Sequence, residues 1–136
     1  MKILVEENLN NMKKTKIKLI RYAGDRFIEI VLFNNKEELR IALKNKKVLG
    51  QYSPELFAVY PKIKVGKKLG TIYLNRENIG VGVLSHEVLH CVFDWYDKIH
   101  HGGFLETPED QEKACWLQGD IVRRIALWLI KIKAWK

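Results

Sequence analysis

Val83-Leu84-Ser85-His86-Glu87-Val88-Leu89-His90-Cys91-Val92-Phe93 is the stretch on which the reading of this chain turns. It sets a His-Glu-x-x-His pattern inside an apolar run. On an α-helix, residues four apart share a face, so His86 and His90 aim two imidazoles at one point. Two nitrogen donors so placed suit a tetrahedral zinc ion. Glu87, next to the first histidine, is placed to hold a metal-bound water and take its proton. The competing reading is a helix whose histidines merely fall four apart.

The flanking residues favour the first reading. Thr71 to Asn75 is a strand-like segment, and Asn78 is a suitable helix N-cap. From Ile79 to Tyr96 the sequence is apolar on nearly every side of a helix, which predicts burial in a core. Histidines and a glutamate buried there need a partner, and a metal ion supplies one. A purely structural zinc site favours four protein ligands rich in cysteine, which this chain does not offer near the motif.

The third metal ligand is to be sought elsewhere. The metzincin pattern has Gly three and His six residues beyond the second histidine, where this chain has Phe93 and Tyr96. Deformylase-like enzymes take an upstream cysteine, whereas Cys91 and Cys115 both lie downstream of His86. Gluzincins take a glutamate from a later helix, and Glu106, Glu109 and Glu112 are available. The segment from Glu112 to Asp120 reads as a helix with small and aromatic residues (Ala114, Cys115, Trp116, Gly119) after its glutamate. Together with the motif helix it resembles the active-site helices of small, phage-encoded gluzincin-like HExxH metallopeptidases. The resemblance runs from the motif to the C-terminal helix, rests on His86, Glu87, His90 and Glu112, and is absent from the first half of the chain. It implies zinc held by His86, His90 and Glu112, Glu87 as general base, a protein or peptide substrate, and action in the cytoplasm of a bacterial host. Glu109 and Asp94 remain alternative third ligands. Asp94, four residues past His90, otherwise reads as a hydrogen-bond partner of a ligand histidine.

At 136 residues the chain is expected to form one domain with a sizeable core. Its 47% hydrophobic and 29% charged residues are ordinary for a globular protein. The N-terminal Met1-Lys2-Ile3-Leu4-Val5 runs into Glu6 and Glu7, so no signal peptide is expected. The longest apolar run, Ile125 to Ile130, is too short to cross a bilayer. Two cysteines make no disulfide framework, and a reducing cytoplasm is the expected compartment. Both are expected to be small core hydrophobes. The net charge of +8 comes from lysines spread along the chain, among them Lys13, Lys14, Lys16, Lys18, Lys131 and Lys133. A nucleic-acid partner is compatible with that charge, but no aromatic interleaving or nucleic-acid motif supports one, and solvated faces account for it.

In chain order, residues 1 to 14 carry little signal. Lys16 to Tyr22 and Phe27 to Phe33 read as two strands of a hairpin joined at Ala23-Gly24-Asp25-Arg26. Asn34 or Asn35 caps a short amphipathic helix over Lys36 to Lys44, with Glu37 and Glu38 suited to its first turn. Leu56 to Tyr60 and Ile63 to Val65 are candidate strands, and one of the segments before the motif is expected to be the sheet edge beside it. His100-His101-Gly102-Gly103 ends the motif helix. Tyr96, His100, His101 and Arg123 are weak candidates for an oxyanion donor, and Arg123 or Arg124 for a substrate carboxylate. Glu109 to Trp135 reads as one long helix with Ile121, Ile125, Trp128 and Ile132 as its core stripe.

The fold expected is a single zincin-like α+β domain over residues 1–136, a small, mostly antiparallel sheet packed against the HExxH helix and a long C-terminal helix. The function expected is zinc-dependent hydrolysis of a peptide bond with Glu87 as general base. The alternatives are an inactive zincin-scaffold binding protein and a metal hydrolase of a non-peptide bond.

Overall fold

A computed structural model of the chain describes residues 12–19, 26–55, 68–100 and 107–135. Their elements are β1 (Lys13–Lys18), β2 (Phe27–Phe33), α1 (Lys36–Leu43), β3 (Gln51–Pro54), β4 (Lys68–Asn75), a 3-10 turn (Arg76–Asn78), α2 (Val81–His100) and α3 (Pro108–Lys131). The strands form a mixed sheet in the order β1-β2-β4-β3. β1 and β2 make the expected antiparallel pair, with Ile17 opposite Ile28. β2 and β4 run parallel, Ile30 facing Ile72, and β3 returns antiparallel along β4 with Tyr52 opposite Ile72. The α+β class is therefore as expected, and the sheet is mixed.

The central strand explains the layering. In Phe27-Ile28-Glu29-Ile30-Val31-Leu32-Phe33, successive side chains alternate between sheet faces. Ile28, Ile30 and Leu32 enter a core shared with Leu69, Ile72 and Leu74 of the sheet and with α2 and α3. Val31 and Phe33 face the other way and pack with Leu39 of α1. β2 is thus covered on both faces, which is why its second half is a continuous apolar run. β1, at one edge, exposes Lys13, Lys14, Lys16 and Lys18. Lysines along an edge strand discourage pairing with another chain.

The helices end where their caps dictate. Asn35 accepts the Glu38 N–H at 2.8 Å to start α1, and Glu37 and Glu38 sit in its first turn. Thr107 accepts the Asp110 N–H at 3.1 Å to start α3, with Pro108 behind it. α3 stops at Lys131, before the expected Trp135, because Lys133 is left-handed (φ 61°) and the Ala134 N–H turns back to the Leu129 carbonyl at 2.8 Å. Its buried stripe is Ala114, Leu117, Ile121, Ile125 and Leu129, so Leu129 takes the place expected for Trp128, which packs partly buried beside it.

Three further expectations are corrected. The first strand lies at Lys13–Lys18, earlier than Lys16 to Tyr22, and residues 20–22 lie outside the described ones. Asn78 does not cap the motif helix. Asn75 caps the preceding 3-10 turn instead, its Oδ1 accepting from the Glu77 and Asn78 N–H groups at 3.0 and 3.2 Å, and α2 begins at Val81. The motif helix is not buried all round. Leu84, Val88, Cys91, Val92, Trp95 and Tyr96 enter the core, while Val81, Leu89 and Phe93 are exposed. Among the described residues the helix is covered by the sheet and α3, which leave one side of it to solvent. The candidate strands at Leu56 to Tyr60 and Ile63 to Val65 fall outside the described residues. Among the described strands the edge beside the motif helix is β3, too short and too poor in β-branched residues to announce itself.

A candidate metal centre on the second helix

The geometry of α2 divides the motif between two faces. At about 100° per residue, His86, Leu89, His90 and Phe93 form one stripe, and Glu87, Cys91, Asp94 and Lys98 form the next. The first stripe is exposed. The His86 and His90 rings meet edge to face with centroids 4.9 Å apart, and their Nε2 atoms stand 3.2 Å apart. The His86 side chain is 68% exposed, so the expectation of buried histidines is overturned while their convergence holds.

Glu87, by contrast, is buried (7% exposed). It points toward β3, where its Oε1 accepts the Tyr52 backbone N–H at 2.9 Å. Its Oε2 lies 3.9 Å from His86 Nε2. The potential donor atoms of His86, Glu87 and His90 lie within 4.8 Å of one another. Close approach of β3 to α2 depends on Gly50, where a Cβ would come within 3.0 Å of Val83 Cγ1, 3.2 Å of the Tyr73 carbonyl and 3.4 Å of Glu87 Cγ.

Beyond Glu87 the same stripe builds a polar network. Asp94 Oδ2 accepts from the Tyr52 hydroxyl at 2.5 Å and from Lys98 Nζ at 2.8 Å. Lys98 Nζ also donates to the Leu69 and Glu55 carbonyls, each at 3.1 Å. Asp94 therefore serves Tyr52 and Lys98, which corrects the expectation that it supports a ligand histidine. Each four-residue step drifts about 40° round the helix, so Asp94 follows Glu87 rather than His86. Burial, reinforced by Cys91 and Asp94, holds the Tyr52 hydroxyl protonated well above the ordinary tyrosine range. Burial and the nearby Asp94 carboxylate push the Cys91 thiol up to about 12, against the opposing effects of Tyr52 and Lys98.

The other expected residues lie apart from this cluster. Glu112 is exposed on α3 and does not join the group of converging donors. It sits about 160° round the helix from the buried Ala114, because the two are two positions apart. Glu109 is exposed and pairs with Lys113 at 3.5 Å. Glu106 and His101 lie outside the described residues, and His100 is the last residue of α2. Tyr96 is buried and its hydroxyl donates to Asp110 Oδ2 at 3.3 Å. Arg123 pairs with Asp120 at 3.2 Å, and Arg124 with the Lys18 carbonyl and Asp120. Cys91 is a core hydrophobe as expected, but Cys115 is exposed.

Tyr52 is the site residue that sequence reasoning missed. Its signal was faint: a Gly50 that permits close approach and a Pro54 that ends the strand. The Asp94–Lys98 pair, four apart on a helix, is the part of this network that spacing makes legible.

Among the described residues no helix is long and apolar enough to cross a membrane. Comparison with protein-family models, curated proteins and solved structures returns no match for this chain.

Proposed function

We propose that this protein is a zinc-dependent metallopeptidase of minimal gluzincin type. The observation that carries the reading is the exposed His86–His90 pair, with Nε2 atoms 3.2 Å apart, beside the buried Glu87 carboxylate. Two nitrogens bound about 2.0–2.1 Å from one tetrahedral ion stand roughly 3.3 Å apart, so the spacing of the pair matches that of two zinc ligands. The same separation also suits a hydrogen bond between the two rings, and metal analysis distinguishes the cases.

In this reading His86 and His90 hold the ion through Nε2. Glu112 is assigned as the third ligand on the resemblance described above, with Glu109 as its alternative. Zinc, when bound, polarises the scissile carbonyl and acidifies the attacking water. Glu87 takes the proton of that water and returns it to the leaving amine. Its Oε1 is occupied by the Tyr52 N–H, which leaves Oε2 on the histidine side for the proton. β3 lies beside Glu87, so a peptide crossing the exposed histidine stripe is brought to the carboxylate. Exposed Leu89 and Phe93 on the histidine stripe offer apolar contacts for its side chains. The resemblance to phage-encoded enzymes suggests a bacterial protein substrate.

The test is elemental analysis of the purified protein with a peptide-library cleavage screen. One zinc per chain and cleavage that Glu87→Gln abolishes are expected. A normally folded protein that takes up no zinc would favour the binding-module alternative and overturn the enzyme.

A further inference from the structure

We propose that Tyr52, Asp94 and Lys98 form a strut that positions Glu87 by clamping edge strand β3 to α2. The inference rests on the reading of Glu87 as general base and adds three residues that act through it. β3 is four residues long and, among the described residues, pairs with β4 alone. In an antiparallel ladder, alternate residues turn their N–H away from the partner strand. Tyr52 is such a residue, and its outward N–H is the one that meets Glu87 Oε1. A short edge strand frays easily, and fraying of β3 would release the carboxylate.

The side chain of the same residue prevents this. From one residue the backbone holds Glu87 while the hydroxyl, about two helical turns further along the same stripe, holds Asp94. Lys98 closes the far end, tying Asp94 to the carbonyls of Leu69, in β4, and Glu55, which follows β3. Tyr52 can lie across the sheet only because residue 70 is glycine, since a Cβ there would overlap the tyrosine hydroxyl. Two strands and the motif helix are thus joined at one phenol. Glu87 has two rotatable carbons between backbone and carboxylate, and fixing Oε1 leaves Oε2 as the oxygen available to the histidine side.

Residue-resolved amide hydrogen exchange tests the strut, with zinc affinity and thermal stability measured on the same samples. In Tyr52→Phe and in Lys98→Met, the residue 52 amide should exchange roughly tenfold faster or more, the loss expected for a hydrogen bond to a charged group. The amides of Gln51 and Ser53, opposite Tyr73 and Thr71, should change far less, and zinc affinity should hold. With a peptide that wild type cleaves, both variants should lower kcat with KM unchanged, and neither should lower it further in a Glu87→Gln background. Unchanged exchange at residue 52 in both variants overturns the strut. Equal acceleration at residues 51, 52 and 53 also overturns it, since that is general loosening of β3. Failure of the enzyme reading shows separately, as turnover that survives Glu87→Gln or a wild type that binds no zinc.

Discussion

The Tyr52 backbone N–H donates to Glu87 Oε1 across 2.9 Å, linking an edge strand to a residue thirty-five positions later in the chain. A buried carboxylate is costly unless it is hydrogen-bonded, and this bond meets part of the cost. It also makes the Glu87→Gln variant informative, because a glutamine oxygen accepts the same N–H. The variant should fold and bind zinc as wild type does while losing turnover by about 10²–10⁴-fold. Steady-state kinetics beside a thermal melt check both halves.

His86→Ala and His90→Ala should each lose stoichiometric zinc. If the proposed site takes zinc in the folded chain alone, wild type should gain about 2.7 kcal/mol of stability at a hundredfold excess of free zinc over Kd. Neither variant should gain it. Melting curves with added zinc and with chelator make the comparison. A zinc-dependent rise in Tm in both variants would place the metal elsewhere.

The third ligand is to be settled by three alanine variants. Glu112→Ala should weaken zinc binding most, and Glu109→Ala, which removes only an exposed ion pair, should leave it intact. Asp94→Ala should keep zinc but lose about 1–3 kcal/mol, because Tyr52 and Lys98 lose their shared acceptor. Zinc titration and urea denaturation of the three proteins decide the assignment.

Tyr52→Phe should have a pH-dependent effect on stability. In the unfolded chain Tyr52 ionises near pH 10, whereas burial keeps it protonated beyond that in the folded protein. Above pH 10 the unfolded state therefore binds fewer protons than the native state, and stability falls as pH rises. At neutral pH wild type should be the more stable by about 1–3 kcal/mol, the worth of the bond to Asp94. That gap should shrink by up to about 1.4 kcal/mol per pH unit above 10. Urea denaturation between pH 8 and pH 11 measures it.

The two thiols should separate cleanly. Cys115 is exposed, while Cys91 is buried with its thiol pushed up to about 12. The thiolate is the reactive form, so at pH 8 a thiol reagent should modify Cys115 quickly and Cys91 only on unfolding. Mass spectrometry of native and urea-treated protein reads the result.

Local signals determined much of what could be read from the chain alone. The strand Phe27–Phe33, a cap at Asn34 or Asn35, the helix after it and the i, i+4 pairing of His86 with His90 all depend on residues a few positions apart. Periodicity and capping act over that range, so those elements were legible. The tertiary structure alone decided which stripe of the motif helix faces water and which faces β3. An apolar helix does not say how many of its sides will be covered, and here the sheet and α3 leave the histidines outside and Glu87 inside. Nor does the sequence around Tyr52 announce its partners, because Glu87 and Asp94 reach it only once β3 lies along β4 beside α2. Contacts between residues thirty-five and forty-two positions apart are set by packing, which no local pattern encodes.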